Sequence, residues 1–149
     1  MNQTKSLGVV MFENNDADAF LWREFFDSAA QPYQMEVVSD GEEALRFVRD
    51  FPGSGKSIPS MFLVDLNLPM HDGLEVLRAI RETPALSNVP VAVLTGAITS
   101  HQQAALAELS PRFIRIKPIL LDDFKNLAQE ILDCANQQRR LERAATYGS

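Results

Sequence analysis

The sequence has little from which to build staples, anchors or a basic surface. Cys134 is its single cysteine in 149 residues, so no disulfide can close within the chain, and a reducing cytoplasm suits it. No long apolar run is present. The opening stretch "MNQTKSLGVVMFENN" has one lysine and a short apolar run broken by Glu13, which reads as neither a signal peptide nor a membrane span. Lysine and arginine form no dense patch before the last few residues, and the formal net charge is −6. That balance argues against a nucleic-acid surface and leaves acidic patches free to meet basic partners. Internal repeats and low-complexity tracts are missing too. What remains is a chain with 46% hydrophobic and 23% charged residues, suited to one soluble domain with a sizeable core. The expected setting is the cytoplasm, with neither membrane nor nucleic acid as a partner.

Along the chain, short apolar runs alternate with amphipathic stretches. "SLGVVMF" (6–12), "YQMEVV" (33–38), "MFLV" (61–64), "VPVAVLT" (89–95) and "RFIRI" (112–116) read as strands. Between them lie helical patterns. "DADAFLWREFFDSAA" puts Phe20, Leu21, Trp22, Phe25 and Phe26 at helical spacing, with Asn15 or Asp16 to cap it. "DGEEALRFVRDF" has Asp40 as its cap, and "GLEVLRAIRET", "TSHQQAALAEL" and the long "LLDDFKNLAQEILDCANQQRRLERAA" follow. Five βα units of this kind predict a parallel sheet covered by helices on both faces, with right-handed crossovers. "PGSGKSIPS" (52–60) is a loop between elements.

Ligands of such sheets sit beyond the carboxyl ends of the strands. Here those ends carry Glu13 and Asn14, then Asp65, Thr95 and Lys117. A single acid at a strand end is most often a helix cap or a solvated charge. Four successive strand ends with acid, amide, hydroxyl and amine are a set with a chemistry. A carboxylate can take a phosphoryl group to give an aspartyl phosphate. That transfer needs its oxygens neutralised, by Mg²⁺ held through one or two carboxylates and by nearby donors. Asp65 is the candidate acceptor, Glu13 and Asn14 the metal side, and Thr95 and Lys117 the donors to the phosphoryl oxygens.

"VDLNLPMHDG", with Pro69 four and Gly73 eight residues after Asp65, together with "VLTG" and "IKP", resembles the receiver domain of two-component response regulators over about residues 5–135. The resemblance implies a doubly wound (βα)5 flavodoxin-like sandwich with a central five-stranded parallel sheet. It also implies that Asp65 is phosphorylated by a sensor histidine kinase, that the Asn67 carbonyl joins Glu13, Asn14 and Asp65 around Mg²⁺, and that Thr95 and Lys117 bind the phosphoryl group. "DLNLPMHDGLEVL", "TPALSNVPVAVLTG" and the 52–60 loop resemble most the stand-alone regulators partnered with bacterial phytochromes.

Two features depart from that family. Its second acid after strand one is Asn14 here, which brings an oxygen but no charge. Its aromatic three residues before the lysine is Ile114 here, and Phe113, one position away, points to the other face. Lookalikes fall away on spacing. "PGSGKS" lacks the glycine that a phosphate-binding P-loop needs six residues before Lys56, where Asp50 stands. A phosphatase of the haloacid-dehalogenase type needs a second acid where Asn67 stands. His71 and His101 read as surface residues.

The last helical pattern outruns the domain. Phe124, Leu127, Ile131, Cys134, Gln138, Leu141 and Ala145 step by three and four. Residues 124–134 are expected to pack on the sheet. Residues 136–149 then form a helical extension, and the seam of Phe124, Leu127, Ile131 and Leu141 is the candidate interface for a partner, expected to be a second copy. The reading is a single-domain response regulator that signals by protein contact and is no enzyme beyond its own phosphotransfer. Its alternative is an interaction module in which Asn14 has weakened Mg²⁺ binding and assembly is independent of phosphorylation.

Overall fold

A computed structural model of the chain describes residues 6–147, with the side chains of 145–147 outside the description. Residue 5, where the domain is expected to begin, residues 148–149 of the tail and the side chain of Ala145 thus lie outside the described residues. Five strands, β1 (Leu7–Phe12), β2 (Tyr33–Val38), β3 (Met61–Val64), β4 (Val91–Thr95) and β5 (Phe113–Ile116), alternate with five α-helices. These are α1 (Asp16–Ser28), α2 (Gly41–Asp50), α3 (Gly73–Glu82), α4 (Ser100–Leu109) and α5 (Leu121–Tyr147). All strand pairs are parallel, in the order β2-β1-β3-β4-β5. This is the flavodoxin-like order with its switch point between β1 and β3.

Hydrophobic pattern accounts for the order. The three central strands are almost wholly buried, while β2 and β5 are only partly so and form the edges. Alternate residues feed two separate cores. Val10, Phe12, Phe62, Val64, Val91 and Val93 face α2, α3 and α4, whereas Val9, Met11, Met61, Leu63, Ala92 and Leu94 face α1 and α5. In α1, Trp22 and Phe26 enter the second core, but Phe20 stays exposed, off the face its spacing was expected to serve. Asn15 caps α1, Asp40 caps α2 and Asp72 caps α3, each accepting from a backbone N–H three residues on. The 52–60 loop opens with one 3-10 turn, Phe51–Gly53.

α5 corrects the expected interface. Phe124, Leu127 and Ile131 are buried beneath the sheet among Trp22, Met61 and Leu63, and burial continues through Ala135. Past that point the helix leaves the core, and Leu141 is 61% exposed. The seam serves the protein's own core over three of its four positions. Only Leu141 is left for a partner. Among the described residues, no helix is long and apolar enough to cross a membrane.

Candidate functional site

The carboxyl ends of β1, β3, β4 and β5 form one rim, and strand parity sorts what they carry. Glu13 and Asp65 continue the alternation of the residues that face α1 and α5, as does Lys117 beyond Phe113. The backbone ladder extends just far enough to set their heights: Asp65 N–H donates to Phe12 O at 3.1 Å, and Lys117 N–H to Thr95 O at 2.8 Å. The three side chains meet on that face. Lys117 Nζ donates to Asp65 Oδ2 at 2.8 Å and is also hydrogen-bonded to Glu13 Oε1.

A fourth group joins them that the sequence reading passed over. Asp18, in the first turn of α1, accepts from Lys117 Nζ at 2.8 Å. The signal was an acid next to the buried face of α1, beside Ala19 and Trp22. Three carboxylates thus surround one ammonium, and the four side chains are mostly shielded from solvent, Glu13 the most so. Burial, helped by the neighbouring Asp65, pushes the Glu13 carboxyl up to about 8. Burial acts on Asp65 in the same direction, but the neighbouring Glu13 carboxyl and the hydrogen bonds from Lys117 and the Asn67 backbone outweigh it and hold Asp65 below the usual carboxylate range. Burial works against the Lys117 charge, yet Asp18, Asp65 and Glu13 together raise its pKa.

Thr95 has the opposite parity and faces α2, α3 and α4, fully buried. Its Oγ1 accepts from Asn67 Nδ2 at 3.2 Å and donates to Ala97 O at 3.0 Å. Asn67 also donates its backbone N–H to Asp65 Oδ1 at 2.9 Å. Both Asp65 oxygens are therefore engaged, one from each side of the rim. The loop that carries them is anchored by buried Leu66 and Leu68. It returns tightly to α3, where a Cβ on Gly73 would collide with the Asp65 carbonyl oxygen; the chain needs glycine there. Asn14 stands exposed just past Glu13, outside the group that contacts Lys117. Phe113 lies with the α1/α5 core and Ile114 with the other, on the faces expected of them.

A parallel 2-1-3-4-5 sheet with acids, a hydroxyl and a lysine at its carboxyl rim defines a class of phosphoacceptor signalling domain. The chain belongs to the response regulator receiver domain family, whose sequence model matches residues 9–129. It is 33% identical over 123 residues to a probable methanogenesis regulatory protein, FilR2 of Methanothrix harundinacea, covering 83% of this chain and 79% of that one. It is 34% identical over 98 residues to the response regulator Rcp1 of Synechocystis sp., covering 64% of this chain and 63% of Rcp1. Among solved structures it resembles the phosphorylated cyanobacterial phytochrome response regulator RcpA, with a TM-score of 0.77 and 30% identity over 85% of this chain and 91% of that one. It also resembles the Mn(2+)-bound form of Rcp1, with a TM-score of 0.74 and 30% identity over 84% and 91% of the two chains.

Proposed function

We propose that Asp65 accepts a phosphoryl group from the phosphohistidine of a sensor kinase, and that the chain passes the signal on by protein contact. The bond from Lys117 Nζ to Asp65 Oδ2 at 2.8 Å, within a mostly buried cluster, carries this reading. A carboxylate held in the charged state and fixed at a strand end is poised as a nucleophile. Its oxygen forms the new P–O bond as the P–N bond to the kinase imidazole breaks, and the imidazole nitrogen keeps the electron pair. Lys117 and the Thr95 hydroxyl then serve as donors to the phosphoryl oxygens.

The donor set fits a divalent cation. Glu13 Oε2 is buried without a hydrogen-bond partner among the described residues, an arrangement that a hard cation would satisfy. Among those residues no three His, Cys, Asp or Glu form a metal cluster. Mg²⁺, however, takes one or two carboxylates and completes its shell with water and phosphate oxygens. Glu13 and Asp65 would hold it, with the Asn67 carbonyl and the Asn14 amide oxygen as neutral ligands. Bound there, Mg²⁺ neutralises charge on the transferring group.

The likeness to a cyanobacterial phytochrome response regulator supports a phytochrome-type kinase as the donor, and such phosphotransfer belongs in the cytoplasm. The chemistry is the chain's own phosphotransfer, with no turnover of a small substrate. Leu141, on a helix that outruns the core, supports contact with a second copy; light scattering should show a dimer that Leu141→Glu converts to monomer, and a monomeric parent protein would refute it. For the acceptor itself, acetyl phosphate with Mg²⁺ should add one acid- and base-labile phosphate, and Asp65→Asn should abolish it. Persistent labelling of that variant would show the assignment wrong.

A further inference from the structure

Lys117 is held by three carboxylates, and only two of them stand at strand ends. Asp18 comes from a helix. It sits three residues after the cap Asn15, where an acid ordinarily complements the helix dipole and can reach back to the cap's N–H. α4 shows that ordinary use with an amide: Gln102, at the same position, accepts from Thr99 N–H at 2.9 Å. α1 does otherwise. Asn15 accepts from Asp18 N–H at 3.1 Å, which fixes the Asp18 backbone, while the Asp18 carboxylate turns to Lys117.

An ammonium has three N–H donors. Here Glu13 Oε1, Asp18 Oδ2 and Asp65 Oδ2 take one each. Resting on the reading of Asp65 as the acceptor, we propose that Asp18 is a positioning residue that sets Lys117 for phosphoryl transfer. It pulls the ammonium toward α1, so Lys117 reaches Asp65 while Glu13 keeps Oε2 unengaged. It also adds a carboxylate to a pocket in which Asn14 brings no charge. As the new P–O bond to Asp65 forms and the donor's bond to phosphorus breaks, one Lys117 N–H passes from Asp65 to a phosphoryl oxygen. Asp18 and Glu13 keep the other two, so the ammonium does not have to reorganise. Without Asp18 one donor turns to water and the ammonium is free to swing.

The test compares the parent chain, Asp18→Asn, Asp18→Glu and Asp65→Asn with acetyl phosphate and Mg²⁺. The donor's P–O bond breaks and acetate leaves with the electron pair, so labelling can be followed without a kinase. Asp18→Asn should slow labelling on the order of tenfold, the scale of one charge-assisted hydrogen bond, with its thermal midpoint near the parent's. Asp18→Glu, which keeps the charge, should recover most of that rate. Nitrogen-15 NMR reads the positioning itself: the Lys117 ammonium protons should be protected from exchange in the parent and in Asp18→Glu, and lost in Asp18→Asn. Parent-like labelling by Asp18→Asn, or an unchanged Lys117 signal in it, overturns the role of Asp18 and leaves Asp65 as acceptor untouched. A parent chain that takes no label overturns the acceptor, and this role with it.

Discussion

The two faces of the sheet reach the same rim with opposite chemistry. Toward α1 and α5, the rim carries Glu13, Asp65, Lys117 and, from the helix, Asp18. Toward α2, α3 and α4, it carries the neutral pair Thr95 and Asn67. Strand periodicity sends Glu13, Asp65 and Lys117 to one face and Thr95 to the other, because successive residues point to opposite faces; α1 adds Asp18 to the first set and the loop after β3 adds Asn67 to the second. Asp65 reaches both, with Oδ2 on the charged side and Oδ1 on the Asn67 backbone. A charge change at Asp65 is therefore felt on one face through an ammonium held by three acids, and on the other through a short hydrogen-bond chain. A one-residue slip in β3 would send the carboxylate to the wrong face, which is why Asp65 follows so buried a strand.

Removing a group from each side should break the symmetry of that comparison most sharply. Lys117→Met leaves the carboxylates of Asp18 and Asp65 without their cation, beside Glu13, and should lower stability in urea by about 3 kcal/mol, with Mg²⁺ restoring part of it. Thr95→Val removes only neutral hydrogen bonds and should cost about 1 kcal/mol. Equal losses would show that the charged face is not what the geometry makes it.

The charged face should also be the one that senses pH. Glu13, raised to about 8 from 4.5, keeps its proton in the folded protein where the unfolded chain has lost it. Its stabilising contribution is full below about 4.5 and is lost as pH rises through about 8. Metal-free protein should therefore lose stability across that window, and Glu13→Gln, which cannot titrate, should lose less. A flat parent profile would contradict the burial argument.

Asn14→Asp gives the smallest effect. It restores a second acid beside Glu13, so Mg²⁺ binding should tighten on the order of 1 kcal/mol, while the metal-free form becomes less stable. Trp22, the chain's one tryptophan, lines a small cavity with Glu13 and Asp65 and can report the titration by fluorescence. Unchanged affinity would mean that position 14 contributes no ligand.

Much of this was legible in the sequence because two periodicities agreed with the capping residues. Apolar strands, Asp40 before a helical pattern and Gly73 eight residues after Asp65 each point to one local structure, and the fold uses all of them. Strand parity separates Phe113 from Ile114, and the two cores divide them the same way. What stayed hidden depended on side chains converging from distant elements. Asp18 is locally one more acid in a first turn, and nothing near it in the chain says that it faces Lys117, 99 residues away. Arg81 on α3 likewise has no local signal for its partners; it donates to the carbonyls of Leu109, Ser110, Ser87 and Val89, tying two loops together. The seam on α5 was legible in part. Helical spacing puts Phe124, Leu127 and Ile131 on one face that packs on the sheet as expected, and the packing of α5 against α1 shows that the core takes these three positions and leaves Leu141 outside it.

The central claim is that the rim around Asp65 binds a phosphoryl group with a divalent cation. Beryllofluoride, which mimics an aspartyl phosphate, tests it directly by fluorine-19 NMR. Bound fluoride resonances should appear with the parent chain only when Mg²⁺ is present, and should be missing from Asp65→Asn. A parent chain that shows none with Mg²⁺, or the same resonances without it, would contradict the account and favour an assembly module that works without phosphorylation.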